Sequence, residues 1–351
     1  MTPGILARWP AFLPISAGTP PLSLGEGNTP LLAAPRLADW VGVAELYLKV
    51  EGANPTGSFK DRGMVVAVAK AQEAGAVAVL CASTGNTAAS AAAYAARTGL
   101  RAIVLLPAGN VAAGKLAQAV MHGARVLSIA GNFDRALELA REACERMPIT
   151  LVNSVNPHRI AGQTTSAFEI CEALGSAPDV LAIPVGNGGN ITAYWRGFHT
   201  FHSLGRSHVL PRMVGIQAAG AAPFVHGHPV DHPDTIATAI RIGRPATWEP
   251  ALAAASESGG HIRAVADDAI MEAYARVART EGVFCEPASA ASIAGLKAAV
   301  SAGAVDAAAR CVCVLTGNGM KDPDAAGRIG AKIEDVAAEY GELERALQRD
   351  I

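Results

Sequence analysis

The sequence is poor in charged and aromatic side chains. Charged residues make up 17% and aromatic residues 5% of its 351 positions, and the formal net charge is −2. A chain this close to neutral has no electrostatic footprint for nucleic acid or for an anionic membrane surface. Its uninterrupted apolar stretches also stay below the about 18 residues that a membrane-spanning helix needs. We therefore expect no nucleic-acid or membrane partner, and instead small molecules or copies of the chain itself.

Cysteine pairs are missing as well. The six cysteines are dispersed, with no CxxC pair and none of the density of a disulfide-linked domain. Prolines interrupt the N-terminal stretch MTPGILARWPAFLP, which lacks an apolar segment followed by a cleavage site, so no export signal is predicted. Both features favour a cytoplasmic protein.

A recognised metal-binding spacing is also lacking. His226, His228 and His232 cluster in HGHPVDHP, but no acidic or thiolate fourth ligand stands at a known spacing from them. Cys311 and Cys313, two apart in an apolar run, would share one face of a strand as small buried side chains. We predict no metal site.

What the sequence has is an alternation of apolar strands and helices. Hydrophobic residues make up 50% of the chain. Between residues 75 and 155, four β-rich runs alternate with helix-length segments that start near Thr87, Val111 and Asn132, and the alternation resumes after residue 159. Apolar strands separated by helices indicate parallel sheets covered on both faces. The pattern therefore predicts an α/β fold with two doubly wound units.

Two segments fall outside this alternation. Residues 221–260 are dense in Pro, Gly and His and are predicted to be a long irregular connection. Residues 328–350 are predicted to form an amphipathic terminal helix.

The loop STGNTAAS, residues 83–90, follows a predicted strand, where ligands gather in open α/β sheets. It places Ser83, Thr84, Asn86 and Thr87 at a helix N-terminus, where hydroxyls and backbone N–H groups suit a carboxylate. Taken alone, the same residues are better explained as a simple helix cap.

Two glycine-rich loops follow later strands. VGNGGNIT, residues 185–192, can turn its backbone N–H groups inward as an anion nest, which favours a phosphate site. It lacks both the trailing Gly-Lys-Ser/Thr of a P-loop and the GxGxxG dinucleotide pattern, and alone it is also explained by a tight turn. LTGNGMKDP, residues 315–323, puts Thr316 at a strand end, where its hydroxyl can face a ligand ring.

Lys60 stands in NPTGSFKDRG, residues 54–63, between a strand-like and a helix-like run. Alone it would be interpreted as a surface lysine. A cofactor that carries a phosphate and an aldehyde needs an anion nest, an amine and a partner for its ring nitrogen, and pyridoxal phosphate has these features. Burial would lower the pKa of such a lysine toward a usable amine. The three loops and Lys60 together predict pyridoxal 5'-phosphate as the cofactor.

The motifs NPTGSFKDRG, STGNTAAS, NSVNPHR, PVGNGGN, CEPASAA and LTGNGMKDP, in this order, resemble those of the threonine synthases. The resemblance extends from LGEGNTPLL, residues 24–32, through LTGNGMKDP, and departs at Gly188, where the family more often has alanine. It implies the type II fold of pyridoxal-phosphate enzymes, shared with tryptophan synthase β-subunits, with the cofactor in a cleft between two mostly parallel sheet domains. Residues 1–65 and 155–351 would form a large cofactor-binding domain, and residues 66–154 a smaller, mobile domain inserted in it.

The resemblance also implies site residues. Lys60 would bind the cofactor aldehyde and move protons, Phe59 would pack beside the ring, Asn86 would contact the 3-hydroxyl group, and Thr316 would face the pyridine nitrogen. The cofactor phosphate would be held by Gly186, Asn187, Gly188, Gly189 and Asn190. CEPASAA places Glu286 and Ser289 at a turn near the ring, and we predict no direct role for either.

The implied reaction converts O-phospho-L-homoserine and water into L-threonine and phosphate by γ-elimination and β-addition, the last step of threonine biosynthesis. The enzyme would be a carbon–oxygen lyase and a homodimer. For the substrate α-carboxylate the candidates are Ser83, Thr84 and Thr87. For the substrate phosphate they are Asn153, Ser154 and Arg159, assisted by Asn187, because a guanidinium suits phosphate geometry.

Other functions stay open. A threonine or serine dehydratase of the same fold would share the cofactor residues but would not require a pocket for a substrate phosphate. A catalytically silent relative that binds a ligand or partner would not require Lys60, Asn86 and Thr316 together. A NAD-dependent dehydrogenase is disfavoured because GxGxxG is absent.

Overall fold

The computed structural model describes residues 3–83, 85–108, 113–131, 133–330 and 335–348, which form two β-sheets and their covering helices. The strands are β1 (Leu31–Ala33), β2 (Glu45–Val50), β3 (Ala78–Ala82), β4 (Arg101–Pro107), β5 (Arg125–Ile129), β6 (Ile149–Leu151), β7 (Val180–Pro184), β8 (Arg212–Ala218), β9 (His261–Val265) and β10 (Arg310–Leu315). The helices are α1 (Ile5–Arg8), α2 (Pro35–Val41), α3 (Lys60–Glu73), α4 (Asn86–Thr98), α5 (Ala113–Met121), α6 (Phe133–Arg146), α7 (Pro157–Gln163), α8 (Thr165–Leu174), α9 (Gly189–Ser203), α10 (Pro223–His226), α11 (Trp248–Glu257), α12 (Asp267–Glu281), α13 (Pro287–Ser301), α14 (Pro323–Gly327) and α15 (Tyr340–Leu347).

The larger sheet has six strands in the order β1-β2-β10-β7-β8-β9. Only β1 runs antiparallel within it, at one edge. In the middle, Val312 of β10 lies between Tyr47 of β2 and Leu181 of β7. Every residue of β7 and nearly every residue of β10 is buried, as expected for parallel strands covered on both faces.

The smaller sheet has four parallel strands in the order β5-β4-β3-β6. All five residues of β3 are buried, and Leu80 lies between Ile103 of β4 and Leu151 of β6. These strands come from a continuous part of the chain that lies between β2 and β7 of the larger sheet. The predicted α/β fold with mostly parallel sheets is confirmed.

The structure corrects two sequence predictions, the one for residues 221–260 and the one for the terminal helix. Residues 221–260 are not simply irregular, because α10 and α11 lie within them and β9 follows directly. The terminal helix is shorter than predicted, since residues 335–339 are not helical and α15 accounts for the helical residues among those described in this segment. An amphipathic helix whose apolar side chains stay exposed lacks the packing that would lengthen it. The predicted helix starts at Val111 and Asn132 lie outside the described residues.

A buried ionic cluster of Lys49, Glu51, Arg62 and Glu169 joins three elements, and we call it the ion-pair cluster. Arg62 of α3 donates to Glu51 after β2 at 2.7 Å and to Glu169 of α8 at 2.6 Å, while Lys49 of β2 contacts Glu169 at 2.7 Å. Although burial acts in the opposite direction, Arg62 and Lys49 hold the pKa of the Glu169 carboxyl well below its usual range. Two positive and two negative charges balance one another, so α3 is anchored firmly at its N-terminal turn.

The structure also bears on membranes and metals. Over the described part of the chain, no helix is long and apolar enough to cross a membrane. The same residues contain no group of three or more His, Cys, Asp or Glu side chains arranged to hold a metal ion.

Candidate active site

A cavity of about 840 Å³ opens where strands of both sheets end. It lies at the carboxyl ends of β3, β6, β7 and β10, the edge at which open α/β sheets bind ligands. Fourteen of the residues predicted from sequence line it: Phe59, Lys60, Ser83, Asn86, Thr87, Asn153, Ser154, Arg159, Gly186, Asn187, Gly188, Gly189, Asn190 and Thr316. Thr84, the remaining predicted residue, lies outside the described residues.

Lys60 is the first residue of α3 and is half-buried in the cavity wall. Its Nζ lies 4.2 Å from the centroid of the Phe59 ring. Burial and the positive charge of Arg159 lower the pKa of Lys60 to about 7, while the carboxyl of Glu286 acts in the opposite direction. A large fraction of such a lysine is a neutral amine at physiological pH, so it can attack an aldehyde and accept a proton.

The turn before Lys60 is held from two sides. Its backbone pairs with the end of β10, since the Asn318 N–H donates to the Gly57 carbonyl at 2.9 Å. Asp61 accepts hydrogen bonds from the Thr56 backbone N–H at 2.7 Å and from the Ser90 hydroxyl of α4 at 2.6 Å. Burial raises the pKa of Asp61 to about 6. The amine-bearing turn is thus tied both to the larger sheet and to the helix that follows β3.

The glycine-rich loop after β7 forms an anion nest at the start of α9. Gly188 has a φ of +84°, and a Cβ on it would lie 2.6 Å from the carbonyl oxygen of Thr247. An added side chain at Gly188 would therefore be strained in this backbone conformation. Asn187 is held by the segment before α11, because its carbonyl accepts from the Thr247 N–H at 3.0 Å and its amide oxygen accepts from the Ala246 N–H at 3.3 Å.

Asn190, in the first turn of α9, is 9% exposed, and neither polar atom of its side chain has a hydrogen-bond partner among the described residues. Buried polar groups are nearly always hydrogen-bonded. An amide group left unsatisfied beside glycine N–H groups at a helix N-terminus fits a bound phosphate, whose oxygens would accept a hydrogen bond from the amide nitrogen.

Arg159 of α7 is 1% exposed and faces the same cavity. Its Nη1 donates to the Val152 carbonyl at 3.1 Å, but Nε and Nη2 have no partner within the described ranges. Burial lowers its pKa to about 10, so it remains positively charged at neutral pH. A buried guanidinium with two free donors is suited to a second anion, distinct from the one in the nest.

Asn153 plays a different part in the cavity wall. Its amide oxygen accepts from the Ala82 N–H at 2.9 Å and its amide nitrogen donates to the Ala82 carbonyl at 3.0 Å. This two-way bond joins the end of β3 to the segment after β6, so most of the side chain's hydrogen-bonding capacity is used within the protein.

Glu286, at the N-terminus of α13, is a cavity residue to which sequence reasoning assigned no role. It is 4% exposed, and its carboxyl group accepts from the Asn86 amide at 3.1 Å and from the Thr316 hydroxyl at 3.3 Å. Ser289, one turn later, lies 3.1 Å from the Thr316 hydroxyl oxygen. The motif CEPASAA was the available signal, but only the fold brings it beside the loops of residues 83–90 and 315–323.

The cavity therefore combines an amine of lowered pKa, a glycine-rich loop at a helix N-terminus, and the polar side chains of Asn86 and Thr316. These features fit a phosphorylated aldehyde with a polar ring. The model of the pyridoxal-phosphate dependent enzyme family matches residues 22–317. This chain belongs to the threonine synthases, within that family. The predicted family and cofactor are confirmed.

Full-length relatives support this assignment. The chain is 60% identical to threonine synthase of Halalkalibacterium halodurans over 92% of this chain and 91% of that protein. It is 50% identical to threonine synthase of Methanocaldococcus jannaschii over 97% of this chain and 86% of that protein.

Solved structures of more distant proteins share the fold. The structure of threonine deaminase isoform 2 from Solanum lycopersicum superposes with a TM-score of 0.73, at 25% identity over 86% of this chain and 87% of that chain. Maize serine racemase superposes with a TM-score of 0.73, at 20% identity and 92% coverage of both chains. The much higher identity to the synthases than to the deaminase disfavours a dehydratase.

Proposed function

We propose that this protein converts O-phospho-L-homoserine and water into L-threonine and inorganic phosphate, the last step of threonine biosynthesis. The observation that carries this proposal is Arg159, a buried guanidinium in the cavity that also contains Lys60, with two nitrogens that have no hydrogen-bond partner in the described part of the chain. A substrate that brings a second phosphate group would satisfy those donors. A dehydratase acting on threonine or serine would leave them unsatisfied, at a cost of about 1–3 kcal/mol or more for a charged group.

Pyridoxal phosphate, when bound, withdraws electrons from the bonds at the substrate's α-carbon, so that protons can leave from there and from the neighbouring carbon. Its phosphate would be held by the N–H groups of residues 186–190 and by the Asn190 amide. Its ring would lie beside Phe59, with its 3-hydroxyl near Asn86 and its nitrogen near Thr316. Its aldehyde would react with Lys60.

Lys60 is the proton carrier in this proposal. Freed by the substrate's amino group, its neutral Nζ would accept the proton from the α-carbon and pass it on, and only then, neutral again, would it accept one from the β-carbon. Lys60 would return this second proton to the γ-carbon, where the bond to the phosphate oxygen breaks, and the first proton would leave with the phosphate. Water would then add across the two carbons, with its hydroxyl group at the β-carbon and its proton at the α-carbon. A pKa of about 7 allows Nζ to accept and donate protons at neutral pH.

The substrate's two anionic ends would bind different elements. The α-carboxylate would bind Ser83 and Thr87 at the N-terminus of α4, together with Thr84, which lies outside the described residues. The phosphate would bind Arg159, with Ser154 and Asn187 assisting. Asn153 would contribute less than expected from sequence, because its amide already bonds to Ala82 in both directions.

The two sheets would act as two domains. In this proposal residues 1–65 and 155–351 form the large cofactor-binding domain, and residues 66–154 form a smaller domain that moves against it when substrate binds. The protein would be a cytoplasmic homodimer. Sedimentation velocity tests the dimer, and small-angle scattering with and without substrate tests the motion. A monomeric mass or an unchanged scattering profile would contradict the corresponding statement.

The deciding experiment follows phosphate and threonine together after O-phospho-L-homoserine is added to purified holoenzyme. A parallel sample receives L-threonine alone and is assayed for 2-oxobutyrate, and a Lys60→Ala variant accompanies both. Equal amounts of phosphate and threonine, lost in the variant, are the expected result. Release of 2-oxobutyrate without phosphate chemistry would identify a dehydratase and would overturn the assignment of Arg159.

A further inference from the structure

Capping of its own helix does not explain why the carboxyl group of Glu286 is buried. Glu286 occupies the N-cap position of α13, yet its side chain does not cap that helix. Its oxygens instead accept hydrogen bonds from Asn86 Nδ2 at 3.1 Å and from Thr316 Oγ1 at 3.3 Å. A carboxyl group that is 4% exposed has lost most of its hydration, so these two contacts must serve something other than helix capping.

The backbone around Glu286 is shaped to permit both contacts. Its N–H donates to the Gly317 carbonyl at 3.0 Å, which ties the start of α13 to the loop after β10. A Cβ on Gly317 would lie 2.5 Å from Glu286 Oε1, so glycine at this position leaves the space that the carboxyl group occupies. The close approach of Glu286 to Thr316 thus depends on a specific neighbouring glycine.

The two partners of Glu286 belong to different sheets. Asn86 begins α4, which follows β3 of the smaller sheet, whereas Thr316 directly follows β10 of the larger sheet. Among the described residues, Glu286 is the hydrogen-bond partner of the Asn86 side chain, and it links this side chain to the Thr316 side of the cavity. This contact between side chains adds to the link that Ser90 of α4 makes with Asp61 of α3 at 2.6 Å.

We propose that Glu286 is a positioning residue for the reaction: its carboxyl group holds Asn86 and Thr316 at the separation that the cofactor ring requires. The inference rests on the proposed ring contacts of these two residues. Burial raises the pKa of Glu286, while the hydrogen bond from Asn86 and the charges of Lys321 and Lys60 act against that shift. Glu286 acts through its two neighbours and takes no proton from the substrate.

Two variants whose side chains are nearly as large as glutamate distinguish a positioning role from a contribution to packing. Glu286→Gln keeps a hydrogen-bonding group at the same place, and Glu286→Met keeps the length but removes both oxygens. Ser292→Ala, six residues further along the chain in α13, is the control for a lost buried hydrogen-bonding group, since the Ser292 hydroxyl donates to the Ser289 carbonyl at 2.8 Å. Cofactor dissociation constants are measured by absorbance titration of the apoproteins, together with their thermal midpoints, KM and kcat.

We expect Glu286→Met to weaken cofactor binding about tenfold and to lower kcat about 10- to 100-fold, because small misplacements of binding groups cost this much. Glu286→Gln should recover most of both losses, and Ser292→Ala should bind cofactor and turn over as the unchanged protein does. Thermal midpoints of the apoproteins should differ little. A general loss of apoprotein stability in Glu286→Met that explains its weaker binding would overturn the proposal.

A double-mutant cycle tests whether Glu286 affects cofactor binding through Asn86. If Glu286 acts through Asn86, Glu286→Met should weaken cofactor binding at least threefold less in an Asn86→Ala background than in the unchanged protein. Equal effects in both backgrounds, or equal losses in the Gln and Met variants, would refute the positioning role. The proposed function is tested separately, because it fails only if the unchanged holoenzyme makes no threonine from O-phospho-L-homoserine.

Discussion

The backbone N–H of Phe59 donates a hydrogen bond to the carbonyl of Thr316 at 3.0 Å. This single contact joins the turn that carries Lys60 to the end of β10, and a bridge between Ser58 and Gly317 continues the pairing. Lys60 and Thr316, the proposed partner of the ring nitrogen, therefore lie on two segments that are hydrogen-bonded to each other through their backbones. Their separation is set by main-chain hydrogen bonds, which vary less than side-chain contacts, and several predictions about the site depend on it.

Cofactor uptake should follow the titration of Lys60. Because only the neutral amine attacks an aldehyde and the pKa of Lys60 is about 7, uptake by the apoprotein should be about tenfold slower at pH 6 than at pH 8. Brief exposure to pyridoxal phosphate at each pH, borohydride reduction and peptide mapping would measure the labelled fraction. Lys60→Ala should give no label at this peptide. A midpoint near pH 10, the value of an ordinary lysine, would show that burial does not lower this pKa.

Arg159→Gln should raise KM for O-phospho-L-homoserine roughly 10- to 100-fold. This factor corresponds to the binding free energy that hydrogen bonds to a charged group contribute. Arg159→Lys should recover only part of the loss, because an ammonium keeps the charge but not the paired donors. The adjacent variant His158→Gln is the control and should leave KM unchanged. If the Gln variant loses cofactor affinity instead while KM stays the same, Arg159 belongs to the cofactor and not to the substrate phosphate.

Gly188→Ala should weaken cofactor binding and destabilise the protein by about 1–2 kcal/mol, since the residue has a φ of +84° and its Cβ would meet the Thr247 carbonyl. Gly327→Ala in α14 is the matched control: nothing lies within 4 Å of its Cβ position, so it should be neutral or stabilising by less than about 1 kcal/mol. Denaturant titration and cofactor titration measure the two effects. Tolerance of alanine at both positions would mean that the nest can shift its backbone freely.

The ion-pair cluster offers a stability test within a single helix. Glu169→Gln should cost about 3–5 kcal/mol of unfolding free energy, because it leaves the buried charges of Arg62 and Lys49 with Glu51 as the one remaining carboxylate of the cluster. Glu172→Gln, three residues later in α8, breaks only a partly exposed pair with Arg8 and should cost less than about 1 kcal/mol. Urea titrations of the two variants compare them directly. Similar small losses in both would mean that the cluster does not anchor α3.

Sequence patterns predicted the parallel sheets well because buried strands are nearly continuous apolar runs, as β3 and β7 are. They failed between residues 221 and 260, where prolines and glycines suggested an irregular connection. There α11 forms because its alanines 251, 254 and 255 are buried in the fold, and the segment before it bonds to Asn187 of the nest. Local composition carries no information about such a distant partner.

The sequence by itself determined the strand and helix alternation, the three loops that follow strands, and the lysine at the start of α3, since each depends on residues that are close together in the chain. Only the tertiary structure decided that Glu286 contacts Asn86 and Thr316, that two nitrogens of Arg159 find no partner among the residues the structure describes, and that Asn153 bonds to Ala82. These facts concern hydrogen-bond partners that are distant in sequence. Their energies depend on burial, which exists only once both sheets have assembled around the cavity.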